Sequence, residues 1–192
     1  VPTGIQSLDD KIMGLMQGHF TVIKAPTGIG KTEVMRFLEY NLIQKNVPFA
    51  SWHLEETKLR SLLGLVSYSL GMNVTRRDLI DSQGATEQVE DAIRKIAKNE
   101  CIYQFFLGDG QGTEELCEQI RYFREACDVR YVFFEPIQDV VSGRSESSKE
   151  ELLSDLSVRL SKLAAELNVG IITIAHTNDD GDPKYCKMIG QR

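Results

Sequence analysis

The segment Phe20–Thr32 constrains the fold of this chain most, because a strand pattern there leads through a glycine-bearing loop into a helix pattern. The segment reads FTVIKAPTGIGKT. Its second half has the spacing of the phosphate-binding pattern G-x-x-x-x-G-K-[ST], with Ala25 in place of the first glycine. In such loops backbone N–H groups surround phosphates, the lysine reaches the β- and γ-phosphates, and the final hydroxyl binds Mg²⁺.

A strand before this loop and a helix after it are the context that the pattern needs, so a chance Gly-Lys-Thr turn is the weaker interpretation. We therefore predict a site for Mg²⁺ and ATP, or for another NTP or dNTP. The predicted nucleotide-binding residues are Ala25, Pro26, Thr27, Gly28, Ile29, Gly30, Lys31 and Thr32.

The rest of the chain alternates between strand and helix patterns, which predicts an α/β fold with a mostly parallel, twisted sheet and helices on both faces. The 192 residues fit one domain, which we expect to be incomplete at its C-terminus. The later predicted strands are Val47–Leu54, Cys101–Leu107, Val129–Glu135 and Val169–Ala175. The predicted helices are Lys31–Asn46, Leu59–Leu70, Thr86–Lys98, Thr113–Cys127 and one that begins with a capping box of Ser148 and Glu151. The segment Asn73–Gly84 is polar and rich in turn residues.

Composition bounds the function classes. The net charge of −6 argues against a protein that wraps duplex DNA on its outer surface, although a narrow channel with a few cations is compatible with it. No segment approaches the ~20 consecutive apolar residues of a membrane span, so no membrane partner is expected. The four cysteines show no C-x-x-C pair, and we interpret them as small buried residues in a reducing compartment.

An acid at the end of the fourth predicted strand indicates a metal site. The carboxyl ends of parallel strands lie along one edge of a sheet, where ligands bind. Glu135 follows an apolar run there, as in a Walker B element, and is predicted to help Thr32 hold Mg²⁺. The usual residue is Asp, so the longer Glu135 is expected to act through water or on a shifted metal. A helix cap or an ion-pair partner is the alternative role.

Two further strand ends supply candidate catalytic groups. Glu55 follows the second strand and is predicted to orient the attacking water, with the alternative that it is a solvated acid. Its neighbour Glu56 would point the opposite way and is predicted to cap the next helix. His176 ends the fifth strand and is predicted to sense the γ-phosphate, or else to be a structural histidine. No role is predicted for His19 or His53.

With these motifs in this order, the whole chain resembles the RecA-type motor domain of superfamily-4 replicative DNA helicases, the group of DnaB, the phage primase-helicases and Twinkle. Five segments carry the resemblance: TGIQSLD, APTGIGKT, HLEE, FFEPIQDVVSG and IAHTNDDGD. They are similar to that family's lead into the first strand, Walker A loop, catalytic glutamate, Walker B element and phosphate-sensing motif. His176 stands where bacterial DnaB proteins carry glutamine, which favours the phage primase-helicase branch.

The resemblance implies a RecA-like P-loop NTPase with Lys31, Glu55 and His176 as its catalytic residues. It also implies a ring, usually a hexamer, that hydrolyses nucleotides between subunits and moves single-stranded DNA through its centre. The cytoplasm of a bacterium or of a phage-infected host is then the expected location, rather than the mitochondrial matrix, and a primase and a polymerase are further implied partners. Two channel loops of that family map onto Ser142–Lys149 and the segment after His176. The predicted DNA contacts are Arg144, Lys149, Lys184, Lys187 and Arg192.

Other functions remain open from the sequence. A recombinase or clock-type ATPase shares the phosphate loop and the glutamate but does not unwind DNA. A P-loop kinase would need an acceptor pocket and an Arg-rich lid, and neither is evident. A non-enzymatic binding module would have no need of Lys31, Thr32 and Glu55. The resemblance places an arginine finger beyond residue 192, and such a finger can be worth about 10³–10⁵ in rate, so the fragment alone is expected to hydrolyse ATP slowly.

Overall fold

The computed structural model describes residues 1–26, 28–53, 56–105, 112–141 and 146–177. Within these ranges the strands are β1 (Phe20–Ala25), β2 (Phe49–His53), β3 (Ile102–Gln104), β4 (Tyr131–Glu135) and β5 (Gly170–His176). The helices are α1 (Gln6–Ile12), α2 (Lys31–Gln44), α3 (Lys58–Leu70), α4 (Arg77–Gln83), α5 (Thr86–Ala97), α6 (Thr113–Cys127), α7 (Ile137–Val140) and α8 (Glu146–Leu167). None of the helices in this part of the chain is long and apolar enough to cross a membrane.

The described strands form one sheet in the order β1-β5-β4-β2-β3, and each neighbouring pair is parallel. The predicted α/β architecture is therefore confirmed. The register aligns the strand ends, because Ala25 lies opposite His176 and His53 lies opposite Glu135. Polar residues that are far apart in the sequence thus share one edge of the sheet.

Both faces of the sheet are buried, which explains why its strands are almost continuously apolar. Alternate residues point to opposite faces, so Phe133 packs with one core cluster and Phe134 with the other. One face is covered by α6 and α8, through residues that include Leu116, Ile120, Leu156 and Leu160. The other is covered by α2, α3 and α5, through residues that include Met35, Leu42, Leu65 and Val89.

Local backbone signals set the ends of the two helices next to the sheet edge. Gly30 precedes α2 with φ of 90°, a left-handed conformation that favours glycine. Thr57 precedes α3, and its hydroxyl accepts a hydrogen bond from the Arg60 backbone N–H at 3.3 Å. The prediction that Glu56 caps this helix is therefore wrong, because the neighbouring threonine does so.

Other differences from the sequence predictions lie on the periphery. The turn-rich segment Asn73–Gly84 contains α4, which has Asp78 in its first turn and ends at Gly84 with φ of 62°. Helix α8 begins at Glu146, so Ser148 lies inside it and the predicted capping box is wrong. Three of the cysteines (Cys101, Cys117 and Cys127) are free thiols and are half-buried rather than fully buried. Cys186 lies outside the described residues.

Candidate nucleotide-binding site

A cavity of about 340 Å³ lies at the carboxyl edge of the sheet, beside the N-terminus of α2. Six of the predicted site residues line it: Gly28, Gly30, Lys31, Thr32, Glu135 and His176. Glu55 and Thr27 lie outside the described residues, so their predicted roles stay predictions. Glu56, the neighbour of Glu55, does line the cavity. The structure thus brings together residues that come from the phosphate loop, β4 and β5.

The phosphate loop gives one end of this cavity a positive character. Lys31 is buried, and its Nζ donates a hydrogen bond to the carbonyl oxygen of Pro26 at 2.6 Å. The first backbone N–H groups of a helix lack partners within the helix, and the helix dipole adds positive charge there. Helix α2 begins at Lys31, so its N-terminus and the ammonium group are suited to bind phosphate. Ile29, also in this loop, is 64% exposed.

Thr32 and Glu135 contact each other beside the loop. The Thr32 hydroxyl donates to Oε2 of Glu135 at 3.2 Å, and Glu135 is buried at the end of β4. Hydroxyl and carboxylate oxygens are the hard ligands that Mg²⁺ prefers, and this ion usually binds through one or two carboxylates, several waters and substrate phosphates. The two side chains therefore fit a phosphate-bound Mg²⁺, as the sequence predicts.

Glu135 also has the ion-pair role that was its alternative, because His53 contacts its other oxygen. His53 ends β2, and its Nδ1 lies 2.7 Å from Oε1 of Glu135. On the opposite side of the ring, Nε2 lies 2.9 Å from Oε1 of Glu39, which projects from α2 and is fully buried. Burial alone would lower the pKa of His53, but Glu39 and Glu135 outweigh it and raise the pKa from 6.5 to about 10. The ring is then an imidazolium that donates to both carboxylates.

Sequence analysis missed this role of His53, although two signals pointed to it. Glu39 is an acid among the apolar residues Leu38, Leu42 and Met35 of α2, which indicates a buried partner. The parallel register that pairs His53 with Glu135 supplies that link. It joins strands that are distant in sequence, so only the strand order reveals it.

A second buried ion pair forms the side wall of the cavity. Arg36 of α2 contacts the carboxylates of Glu33 and Glu56. The side chains of Arg36 and Glu56 are only 8% and 7% exposed. Burial raises the pKa of Glu56, and the charge of Arg36 opposes that shift. Gly64 of α3 makes room for this pair, since a Cβ there would lie 2.4 Å from Nε of Arg36.

We expect this ion pair to contribute strongly to stability. Arg36→Met keeps the aliphatic stem but leaves the Glu56 carboxylate buried without its cation, which should lower the free energy of unfolding by about 3 kcal/mol. Arg60 offers a matched control, because its Nε lies 3.8 Å from the same Glu56 oxygen but its side chain is 75% exposed. Arg60→Met should cost less than about 1 kcal/mol. Urea unfolding of both variants measures the difference, and equal losses would contradict the assignment.

His53, Glu56 and Glu135 form the one group of candidate metal ligands found in the described part of the chain. One ligand atom from each lies within 4.8 Å of the others. Both nitrogens of His53 face carboxylates, however, and Glu56 is paired with Arg36. The oxygens of Glu135 and Thr32 are therefore better suited to hold a cation than the imidazole is.

Gln138 fixes the position of His176, and it was also missed from the sequence. The backbone N–H of His176 donates to Oε1 of Gln138 at 3.4 Å, and Nε2 of Gln138 donates to the His176 carbonyl oxygen at 3.1 Å. The short helix α7 follows β4 directly, so it connects the end of β5 to the Glu135 strand. His176 lines the cavity as predicted, and its sensing role stays a prediction.

The predicted DNA contacts cannot be placed at this edge. Arg144, Lys184, Lys187 and Arg192 lie outside the described residues. Lys149 falls within α8, and only its backbone position is described. Their roles stay predictions.

Comparison with known proteins decides the family. The family model of the DnaB-like helicase C terminal domain matches residues 1–186. The chain belongs to this family. Membership agrees with the resemblance carried by the five sequence segments and covers nearly all of the chain.

Relatives of this DnaB-like domain include a probable plasmid replicative DNA helicase of Chlamydia trachomatis serovar L2, which is 30% identical over 180 residues. That match covers 91% of this chain and 38% of the relative. The replicative DNA helicase DnaB of Leifsonia xyli subsp. xyli is 24% identical over 193 residues, which is 98% of this chain and 41% of the relative. The chain thus spans about 40% of the length of these relatives.

Solved structures confirm the RecA-like ATPase fold of the DnaB-like domain. A solved helicase ATPase domain matches with a TM-score of 0.79 at 22% identity, over 94% of this chain and 64% of that one. A DnaB-like replicative helicase, solved in a study that includes its interactions with primase, matches with a TM-score of 0.77 at 22% identity. That match covers 94% of this chain and 44% of the helicase.

Proposed function

We propose that this chain is the NTP-hydrolysing motor domain of a replicative DNA helicase, which moves along single-stranded DNA and unwinds the duplex. The observation that carries the proposal is the convergence of Lys31, Thr32, Glu135 and His176 on one cavity. Membership of the DnaB-like family supports the same conclusion.

The proposed reaction is the in-line attack of water on the γ-phosphate. Such a reaction depends on positioning and on electrostatic stabilisation, because charge spreads over the phosphate oxygens. Lys31 would bind the β- and γ-phosphate oxygens, and Glu55 would orient the attacking water and accept its proton. Thr32 and Glu135 would hold Mg²⁺, which neutralises charge between the β- and γ-oxygens when bound.

His176 would contact the γ-phosphate and respond to its loss. Its backbone is hydrogen-bonded to Gln138 on both sides, so a shift of His176 would be transmitted to α7 and the chain beyond it. In the proposed helicase that following segment, residues 142–149, lies toward the DNA channel with Arg144 and Lys149. Lys184, Lys187 and Arg192 would supply further phosphate contacts from the segment after His176.

The intact protein would act as a ring of identical subunits, most simply a hexamer, around single-stranded DNA in the bacterial or phage-infected cytoplasm. A primase is a proposed partner, since one structurally similar DnaB-like helicase was studied with its interactions with primase. A replisome polymerase is a second proposed partner. The preference for the phage primase-helicase branch also stays a prediction.

A strand-displacement assay tests the proposed function. We expect the full-length protein that contains this domain to release a labelled strand from a forked duplex when ATP and Mg²⁺ are supplied. No release is expected with a non-hydrolysable analogue, since translocation depends on hydrolysis. DNA-stimulated hydrolysis with filaments but no strand release would favour a recombinase-like ATPase. Phosphate transfer to a small acceptor without a response to DNA would favour a kinase, and either result would contradict the helicase assignment.

A further inference from the structure

We infer that His53, anchored by Glu39, is a positioning residue that fixes the carboxylate of Glu135 for metal binding. The inference rests on the proposed function and deepens it, because it assigns a role to residues that the five sequence segments leave unexplained. The three side chains form a continuous buried path from α2 through β2 to β4.

The path divides the work of the two Glu135 oxygens. Oε1 lies 2.7 Å from Nδ1 of His53, whereas Oε2 accepts the hydrogen bond of the Thr32 hydroxyl at 3.2 Å. One oxygen is therefore held from behind, and the other is directed at the residue that shares the proposed metal. This separation is what a positioning role requires.

The length of Glu135 explains why such an anchor is useful. A glutamate has one more rotatable bond than the aspartate usual at this position, and fixing a glutamate side chain costs up to about 2 kcal/mol of conformational entropy. His53 supplies a directed hydrogen bond that restricts this freedom. Partners behind a metal ligand commonly set its orientation, and their loss typically weakens metal affinity or activity by about 10–100-fold.

Glu39 in turn holds the imidazole. Its side chain is fully buried, and Oε1 lies 2.9 Å from Nε2 of His53. Among the described residues, Oε2 of Glu39 has no hydrogen-bond partner, so His53 is the contact that compensates for its burial. A purely structural interpretation would give His53 only this task, the neutralisation of two buried acids.

Two amide substitutions separate the positioning role from the structural one. The side-chain nitrogen of asparagine is as many bonds from Cα as Nδ1, so His53→Asn can still donate to Glu135 but not to Glu39. The nitrogen of glutamine corresponds to Nε2, so His53→Gln can donate to Glu39 but not to Glu135. Both variants lose the positive charge, which makes them matched controls for each other.

The experiment measures metal binding rather than turnover alone. Mn²⁺ is titrated into the full-length protein with saturating ADP, and free Mn²⁺ is followed by electron paramagnetic resonance. ADP binding without metal and the midpoint of thermal unfolding are recorded for the same samples. Glu39→Gln, which keeps an acceptor for Nε2 of His53, serves as a third variant.

We expect His53→Gln to weaken Mn²⁺ affinity by about tenfold or more. His53→Asn and Glu39→Gln should stay within about threefold of the wild type. Thermal stability should follow the opposite order, because His53→Asn leaves the fully buried Glu39 without its donor. If His53→Asn does not fold, normal Mn²⁺ affinity in Glu39→Gln and weakened affinity in His53→Gln support the inference.

Equal Mn²⁺ affinities in the two His53 variants, or affinities that simply follow thermal stability, would overturn the positioning role. Those outcomes would leave the proposed helicase function intact, provided that ADP still binds. Failure of the wild-type protein to bind ADP would instead overturn both. The two failures are thus distinguishable in one set of samples.

Discussion

Lys31→Ala in the full-length protein is expected to lower kcat for ATP hydrolysis by about 10²–10³-fold, the usual cost of removing one electrostatic contact to the transition state. The effect should be large because Lys31 is buried at the head of α2, where no flexible surface cation takes its place easily. Arg36, the other buried cation of the described cavity wall, is bound to Glu33 and Glu56.

Phosphate release with and without single-stranded DNA measures this loss. Lys45→Ala is a matched control, because Lys45 follows the C-terminal end of the same helix and its Nζ contacts Asn41. The control should keep the wild-type rate. A Lys31→Ala variant that hydrolyses ATP normally would contradict the assignment of the phosphate loop.

Glu55→Gln is expected to bind nucleotide like the wild type but to lose about 10²–10⁴-fold of its DNA-stimulated hydrolysis. That range is the usual contribution of a general base, and glutamine cannot accept the proton. Equilibrium binding of a fluorescent nucleotide and steady-state phosphate release measure the two properties separately.

Glu56→Gln provides the comparison for that variant. Glu56 lines the cavity but is paired with Arg36, and an amide oxygen can still accept a hydrogen bond from that guanidinium. We therefore expect Glu56→Gln to lose much less turnover than Glu55→Gln. The reverse order would show that the catalytic glutamate had been assigned to the wrong neighbour.

The sequence predicts the architecture well because it depends on local patterns. Alternating strands and helices, one phosphate loop and the rule that parallel strands end at one edge were enough to predict a shared edge for Lys31, Glu135 and His176. The structure places all three on the same cavity. Each of these residues ends a strand or begins a helix, so its position follows from its own element.

The buried charge network could not be predicted in the same way. His53 meets Glu135 only because β2 pairs with β4, and Arg36 meets Glu56 only because Gly64 permits close approach of α3 to Arg36. Both contacts depend on the strand order and on helix packing rather than on a local pattern. Arg36 and Glu39 on a largely apolar helix were the available signal that buried partners existed.

The most direct test of the account is an experimental structure of the full-length protein with Mg²⁺, a non-hydrolysable ATP analogue and single-stranded DNA. The account predicts that the triphosphate lies against Lys31 and Thr32, with Glu135 beside the metal and His176 beside the γ-phosphate. It also predicts the carboxylate of Glu55 within hydrogen-bond reach of a water in line with the γ-phosphate. A nucleotide bound elsewhere, or Glu55 directed away from the phosphate tail, would contradict it.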